Sequence, residues 1–181
     1  MANHKVRPRD WVILAAYVAL IYSTLSMTPN FSNLFSGILG KNFGLAVDIF
    51  IISVIITMTG LFYGKVKARP LSFYLKVAAI FSLYTFLIFR WTEFPAEKLH
   101  LLEYGFLGYF VLKVASPLHS RRWAQYLYTA LIVAAIGCGD EFIQKLLPSR
   151  VCDPKDMALN FISGILGLAL IAALNSQKAR T

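Results

Sequence analysis

The sequence predicts an all-α protein: a polytopic transmembrane helical bundle of about six helices, with the N- and C-termini cytoplasmic. Three observations carry this. Of 181 residues, 57% are hydrophobic and only 15% are charged, where a soluble domain carries about 25% charge. The apolar residues fall in blocks long enough to cross a hydrocarbon core, which takes roughly 17 to 25 residues of helix. Between the blocks, basic residues gather in short clusters. A net charge of +9 would by itself suit nucleic acid, but this clustering is the positive-inside pattern of membrane proteins. No nucleic-acid partner is expected.

The first ten residues, MANHKVRPRD, and the apolar run after them have the basic and apolar parts of a signal peptide. No small-x-small cleavage site follows, so the segment Trp11–Met27 reads as a retained first helix. In FSNLFSGILGKNF, Phe31, Leu34, Phe35, Ile38, Leu39 and Phe43 recur at helical spacing, with Ser32, Asn33 and Ser36 on other faces. This 31–43 segment reads as a short amphipathic helix on the outer membrane surface; spacing leaves open a mobile cover over polar groups. Further spans are expected at Leu45–Tyr63, Leu71–Phe89, Glu97–Ala115, Ala124–Leu147 and Met157–Leu174. No internal repeat or linker divides the chain, so residues 1–181 read as one membrane domain.

Orientation follows from the basic residues. With the N-terminus inside, Lys5, Arg7, Arg9, Lys65, Lys67, Arg69, Lys113, Arg121, Arg122, Lys178 and Arg180 are cytoplasmic. They outnumber Lys41, Arg90, Lys98, Lys145, Arg150 and Lys155 on the other side. Lys76 snorkels back to the inner surface, and Lys98 is expected to contact headgroups. The acids do little to set topology, yet Glu93, Glu97, Glu103, Asp140, Glu141, Asp153 and Asp156 all gather at the extracytoplasmic ends of the last three helices or their loops. That clustering is the strongest functional signal. Asp48 stands alone in the second span, either functional or paired with a neighbouring helix.

On the fourth span, EKLHLLEYGFLGY places Glu97, His100 and Tyr104 at spacings of three and four, on one helix face. Glu103 lies where an unpaired charge costs several kcal/mol, so it should face the bundle and have a partner. The fifth span ends GCGDEFIQKLLPSR, with Glu141 and Gln144 three apart; Pro148 then stops the helix, leaving Arg150 in the loop to reach back. The sixth begins near Asp156, favourable at a helix N-terminus, with Asn160 one turn on and then Ser163, Gly164 and Gly167. Such groups together suit phosphate or amide chemistry. Glu141, His100 and Glu103 are expected to move protons as catalytic groups. Arg150 would grip an anion, and Gln144, Asn160, Asp156 and Tyr104 would bind and orient substrate.

The competing reading is that these groups only fasten helices, but interhelical polar bonds are worth about 0.6 kcal/mol on average, and this many in one place exceeds that need. No metal or other cofactor is expected, because His100 is the one His on that side and zinc prefers several His or Cys ligands. An oxygen-rich magnesium or calcium site bridging a phosphate is the alternative the acids allow. Cys138 and Cys152 both lie near the oxidising side, so a disulfide between them is open.

At these residues the chain resembles the VanZ-like family of small bacterial membrane proteins. The family's acidic-Lys, His and Tyr pattern reads here as Glu97, Lys98, His100 and Tyr104. Its E-x-x-Q-x-x-x-P-x-R pattern and following acid and amide read as Glu141, Gln144, Pro148, Arg150, Asp156 and Asn160, all in register. YSTLSMTP in the first span also resembles the family, and residues 90–170 carry most of the likeness. Asp153 stands where a Ser is usual, Ser163 where a Gly is common, and Glu103 occurs in only some relatives. The resemblance implies a multi-pass protein of the bacterial cytoplasmic (inner) membrane with an outward-facing polar site. Its partner would be a membrane lipid or lipid-linked envelope precursor, with a link to resistance to the glycopeptide teicoplanin. It supplies no reaction. An enzyme, a non-catalytic binder or transporter of an envelope lipid or antibiotic, and a purely structural cluster stay open, as does the oligomeric state.

Overall fold

The computed structural model describes residues 6–25, 27–63, 70–147 and 153–175, and among them the chain is helical throughout its regular structure. The helices are α1 (Pro8–Leu25), α2 (Thr28–Leu39), α3 (Phe43–Tyr63), α4 (Leu71–Phe86), α5 (Pro95–Leu118), α6 (Arg122–Leu146) and α7 (Pro154–Asn175). A π-helical turn, Leu87–Trp91, extends α4. Each expected helix is present, its ends shifted by a few residues. Among the described residues, five segments are long and apolar enough to cross a membrane: Asn30–Met58, Leu71–Trp91, Glu97–Leu118, Arg122–Leu146 and Pro154–Asn175. Beside them, α1 packs on α5 and α6. The protein is a multi-pass membrane protein.

The helix ends have local causes. Pro95 and Pro154 open α5 and α7, where a missing N–H costs nothing and the fixed φ already suits a helix. Before Pro154, the Asp153 carboxylate accepts the Lys155 N–H at 2.8 Å, an N-cap that satisfies one orphan donor of the first turn. The segment expected around 31–43 is helical as α2. It stops at Gly40, whose φ of 55° is open to glycine and strained for most other residues. A 3₁₀ turn, Gly40–Asn42, then leads into α3, and Phe35 stacks on Phe43 with ring centroids 6.3 Å apart. The α2 side chains Phe31, Leu34, Phe35 and Ile38 stay exposed.

Helices α5 and α7 form the centre. On one side Leu101, Leu159 and Leu166 pack with Ile51 and Ile55 of α3 and with Ile80 and Tyr84 of α4. On the other, Tyr104, Leu107 and Val111 pack with Leu14 and Ile21 of α1 and Val133 of α6. Glycines set the α5–α7 distance. A Cβ on Gly167 would lie 2.6 Å from the Gly105 carbonyl oxygen, and one on Gly108 would lie 3.2 Å from that of Gly164. Backbone approach this close is available only to small residues.

Ion pairs brace the bundle. Lys113 meets Asp10 at 2.8 Å, tying α1 to α5. Another is made by Lys98, the lysine expected at the headgroups. Its ammonium pairs with Asp48 at 2.6 Å, both side chains 11% exposed. A lone Asp within a membrane helix is costly, and a cation within reach on α5 neutralises it.

Candidate functional site

The ends of α5 and α7 that begin those helices meet the C-terminal end of α6, and the acids collect there. Residues three or four apart share a helix face, so His100 and Tyr104 turn together towards α6. The Tyr104 hydroxyl donates to Asp140 Oδ2 at 2.9 Å. From α7, Asn160 Nδ2 donates to the same oxygen at 3.4 Å. His100 Nδ1 stands 3.9 Å from that oxygen and 3.2 Å from Glu103 Oε2. Neither approach is angled as a hydrogen bond. Three helices thus converge on one carboxylate, and Asp140, Tyr104 and Asn160 are all fully buried.

Asp140 is the hub, and the sequence reading placed other residues at the centre. The signal was present: Asp140 lies four residues before Gln144, as near that helix face as Glu141 at three. Glu141 forms an adjoining group. Its Oε1 accepts Gln144 Nε2 at 3.1 Å, and its Oε2 accepts the Asp153 backbone N–H at 3.1 Å, tying α6 to the start of α7. Asp156, in the first turn of α7, is half-buried. The His100 ring lies within electrostatic reach of Asp140 and Asp156, and the Glu141 carboxylate within reach of all three.

The expected residues His100, Glu103, Tyr104, Glu141, Gln144, Asp156 and Asn160 therefore assemble at one end of the bundle. Arg150, expected to bind an anion, and Pro148 lie outside the described residues. So does Cys152, and with it the disulfide expectation; Cys138 is a free, exposed thiol. Glu97 turns back to accept the Glu93 N–H at 2.9 Å, which fastens the approach to α5. At the rim, Lys155 pairs with Glu93 at 2.8 Å.

Tyrosines of α1 close the cluster on its remaining side. Tyr17 donates to the Glu103 carbonyl at 3.1 Å and Tyr22 to the Ile136 carbonyl at 3.0 Å, one turn before Asp140. Among the described residues, four buried side-chain atoms have no hydrogen-bond partner: Asp140 Oδ1, Asn160 Oδ1, His100 Nδ1 and Trp91 Nε1. Three of the four are in this cluster. Among the described residues, no group of three or more His, Cys, Asp or Glu side chains is placed to hold a metal ion.

A family model described as VanZ/LLP1 matches residues 11–175. No curated protein and no solved structure matches the chain.

Proposed function

The chain belongs to the VanZ/LLP1 family, and from that premise and its acid cluster we propose a function at the bacterial cell envelope. The protein sits in the cytoplasmic membrane, its termini inside. The Asp140 cluster opens on the outer side, where it binds and processes a lipid-linked or phosphate-bearing envelope substrate.

One observation carries the reading. Groups that merely fasten helices should satisfy one another, because a buried polar atom left unpaired costs about 1–3 kcal/mol. Asp140 Oδ1 and Asn160 Oδ1 are buried and unpaired, and both are acceptors. A substrate hydroxyl or amide supplies the donors they lack. In this reading His100 and Glu141 move protons, while Glu103 beside Nδ1 governs which imidazole nitrogen carries one. Tyr104 and Asn160 hold Asp140, Gln144 holds Glu141, Asp156 stands at the rim, and Arg150 supplies the counter-charge for a phosphate.

Incubating purified protein with labelled polyprenyl phosphate and phospholipids tests this. The native chain should form product, and Glu141→Gln should fold normally and form none. Full activity of Glu141→Gln in cell complementation would defeat the proposal. Retention of labelled lipid without product would instead identify a non-catalytic binder. Teicoplanin susceptibility of cells with and without the protein tests the resistance link.

A further inference from the structure

A cavity of about 330 Å³ lies away from the acid cluster, between α3, α4, α5 and α7. Its walls are apolar, with Val54, Tyr84, Leu102, Phe106, Leu170 and Leu174 among them. On α5 it follows Leu101, Leu102 and Gly105. Those residues occupy the face that carries Lys98, at spacings of three, four and seven. Its α3 wall includes Ile55, two turns beyond Asp48 on one face. Its α4 wall includes Tyr84, and the π-helical turn that ends in Trp91 follows. The Lys98–Asp48 pair therefore stands over one end of the cavity, and Trp91 packs against the same core of Ile55, Tyr84 and Leu101.

The groups at that end are donors. Among the described residues, Asp48 is the hydrogen-bond partner of the Lys98 ammonium, which has three N–H groups to offer. The Trp91 indole N–H is buried and has no partner. These are the reverse of the unpaired acceptors at Asp140. A hydrocarbon groove in membrane-crossing helices, topped by a cation and an unpaired N–H, complements a lipid that carries oxygen-rich anionic charge on an apolar chain.

We propose that this groove is a second site, which seats one acyl chain of an anionic phospholipid with its phosphate at Lys98 and Trp91. The site is separate from the Asp140 cluster and does not depend on what that cluster does. The chain runs down the bundle between α3 and α5 from Leu102 towards Leu174. The phosphate accepts from the free ammonium N–H groups and the indole.

The test uses the full-length protein in vesicles of equimolar phosphatidylglycerol and phosphatidylcholine, with a photoactivatable diazirine in the acyl chain of one lipid at a time. Labelled phosphatidylglycerol should crosslink mainly at Val54, Leu102 and Leu170, and more strongly than labelled phosphatidylcholine. Leu170→Trp, or Val54→Trp from the opposite wall, should fill the groove and lose most of that label. The Asp48→Asn/Lys98→Met double variant leaves no lone buried charge, and it should lose the preference for phosphatidylglycerol while keeping the groove label. Label spread evenly over all lipid-facing helices would overturn the groove. A preference unchanged in the double variant would overturn the headgroup assignment.

Discussion

Two chemically identical substitutions should change stability in opposite directions. In Gly167→Ala the new Cβ would lie 2.6 Å from the Gly105 oxygen, 2.8 Å from its Cα and 3.0 Å from its carbonyl carbon. These are backbone atoms, so no rotamer change relieves the overlap. Moving α7 away by about 0.4 Å brings the closest contact to 3.0 Å, and about 0.8 Å brings it to ordinary contact at 3.4 Å. Overpacking of this kind costs about 1–3 kcal/mol. The shift also reaches the site, because Asn160 lies two turns earlier on α7 and its bond to Asp140 is already 3.4 Å long. In Gly60→Ala the new Cβ meets nothing within 4 Å, and the helix gains about 1 kcal/mol from the better propensity of alanine. Unfolding both variants in mixed micelles by detergent titration reads the difference. Gly167→Ala should be less stable than the native chain and Gly60→Ala equal or more stable. A Gly167→Ala chain as stable as the native one would refute the close α5–α7 packing.

Other outcomes follow from the same geometry. Asp48→Asn leaves the Lys98 charge buried without its partner, which costs about 3–5 kcal/mol; the Asp48→Asn/Lys98→Met double variant should cost clearly less in the same titration. In Gly139→Ala the Cβ would lie 2.7 Å from the Tyr22 hydroxyl, displacing it from Ile136 at a cost of about 0.5–1.5 kcal/mol. Tyr22→Phe removes the obstructing oxygen, so the double variant should lose less than the sum of the singles. Tyr104→Phe removes a buried donor from Asp140 and should cost about 1.5–3 kcal/mol, the range for hydrogen bonds to charged groups; thermal unfolding measures it.

The helices were legible because hydrocarbon is an unforgiving solvent: blocks of apolar residues have to cross it as helix. Side-chain spacing within one helix was equally readable, which is why His100 with Tyr104 and Glu141 with Gln144 appear on the faces expected. Relations between helices were harder. Asp140 and Glu141 are neighbours on α6, and which carboxylate turns towards α5 depends on how those helices cross. Spacing along a single helix does not contain that angle. Lys98 had no visible partner for the same reason. Its partner Asp48 is 50 residues away, and only the packing of α3 on α5 brings them together. The amphipathic segment at 31–43 was recognised as a helix, but its junction with α3 depends on the positive φ of Gly40.

Asp140→Asn tests the account most directly, because it keeps the shape of the side chain on which α5, α6 and α7 converge and removes its ionisable carboxyl. Unfolding and processing of labelled envelope lipid should be measured on the same preparation. The account predicts near-native stability with processing lost. Undiminished processing, or a loss accounted for entirely by unfolded protein, would contradict it and leave Asp140 as a tie between helices.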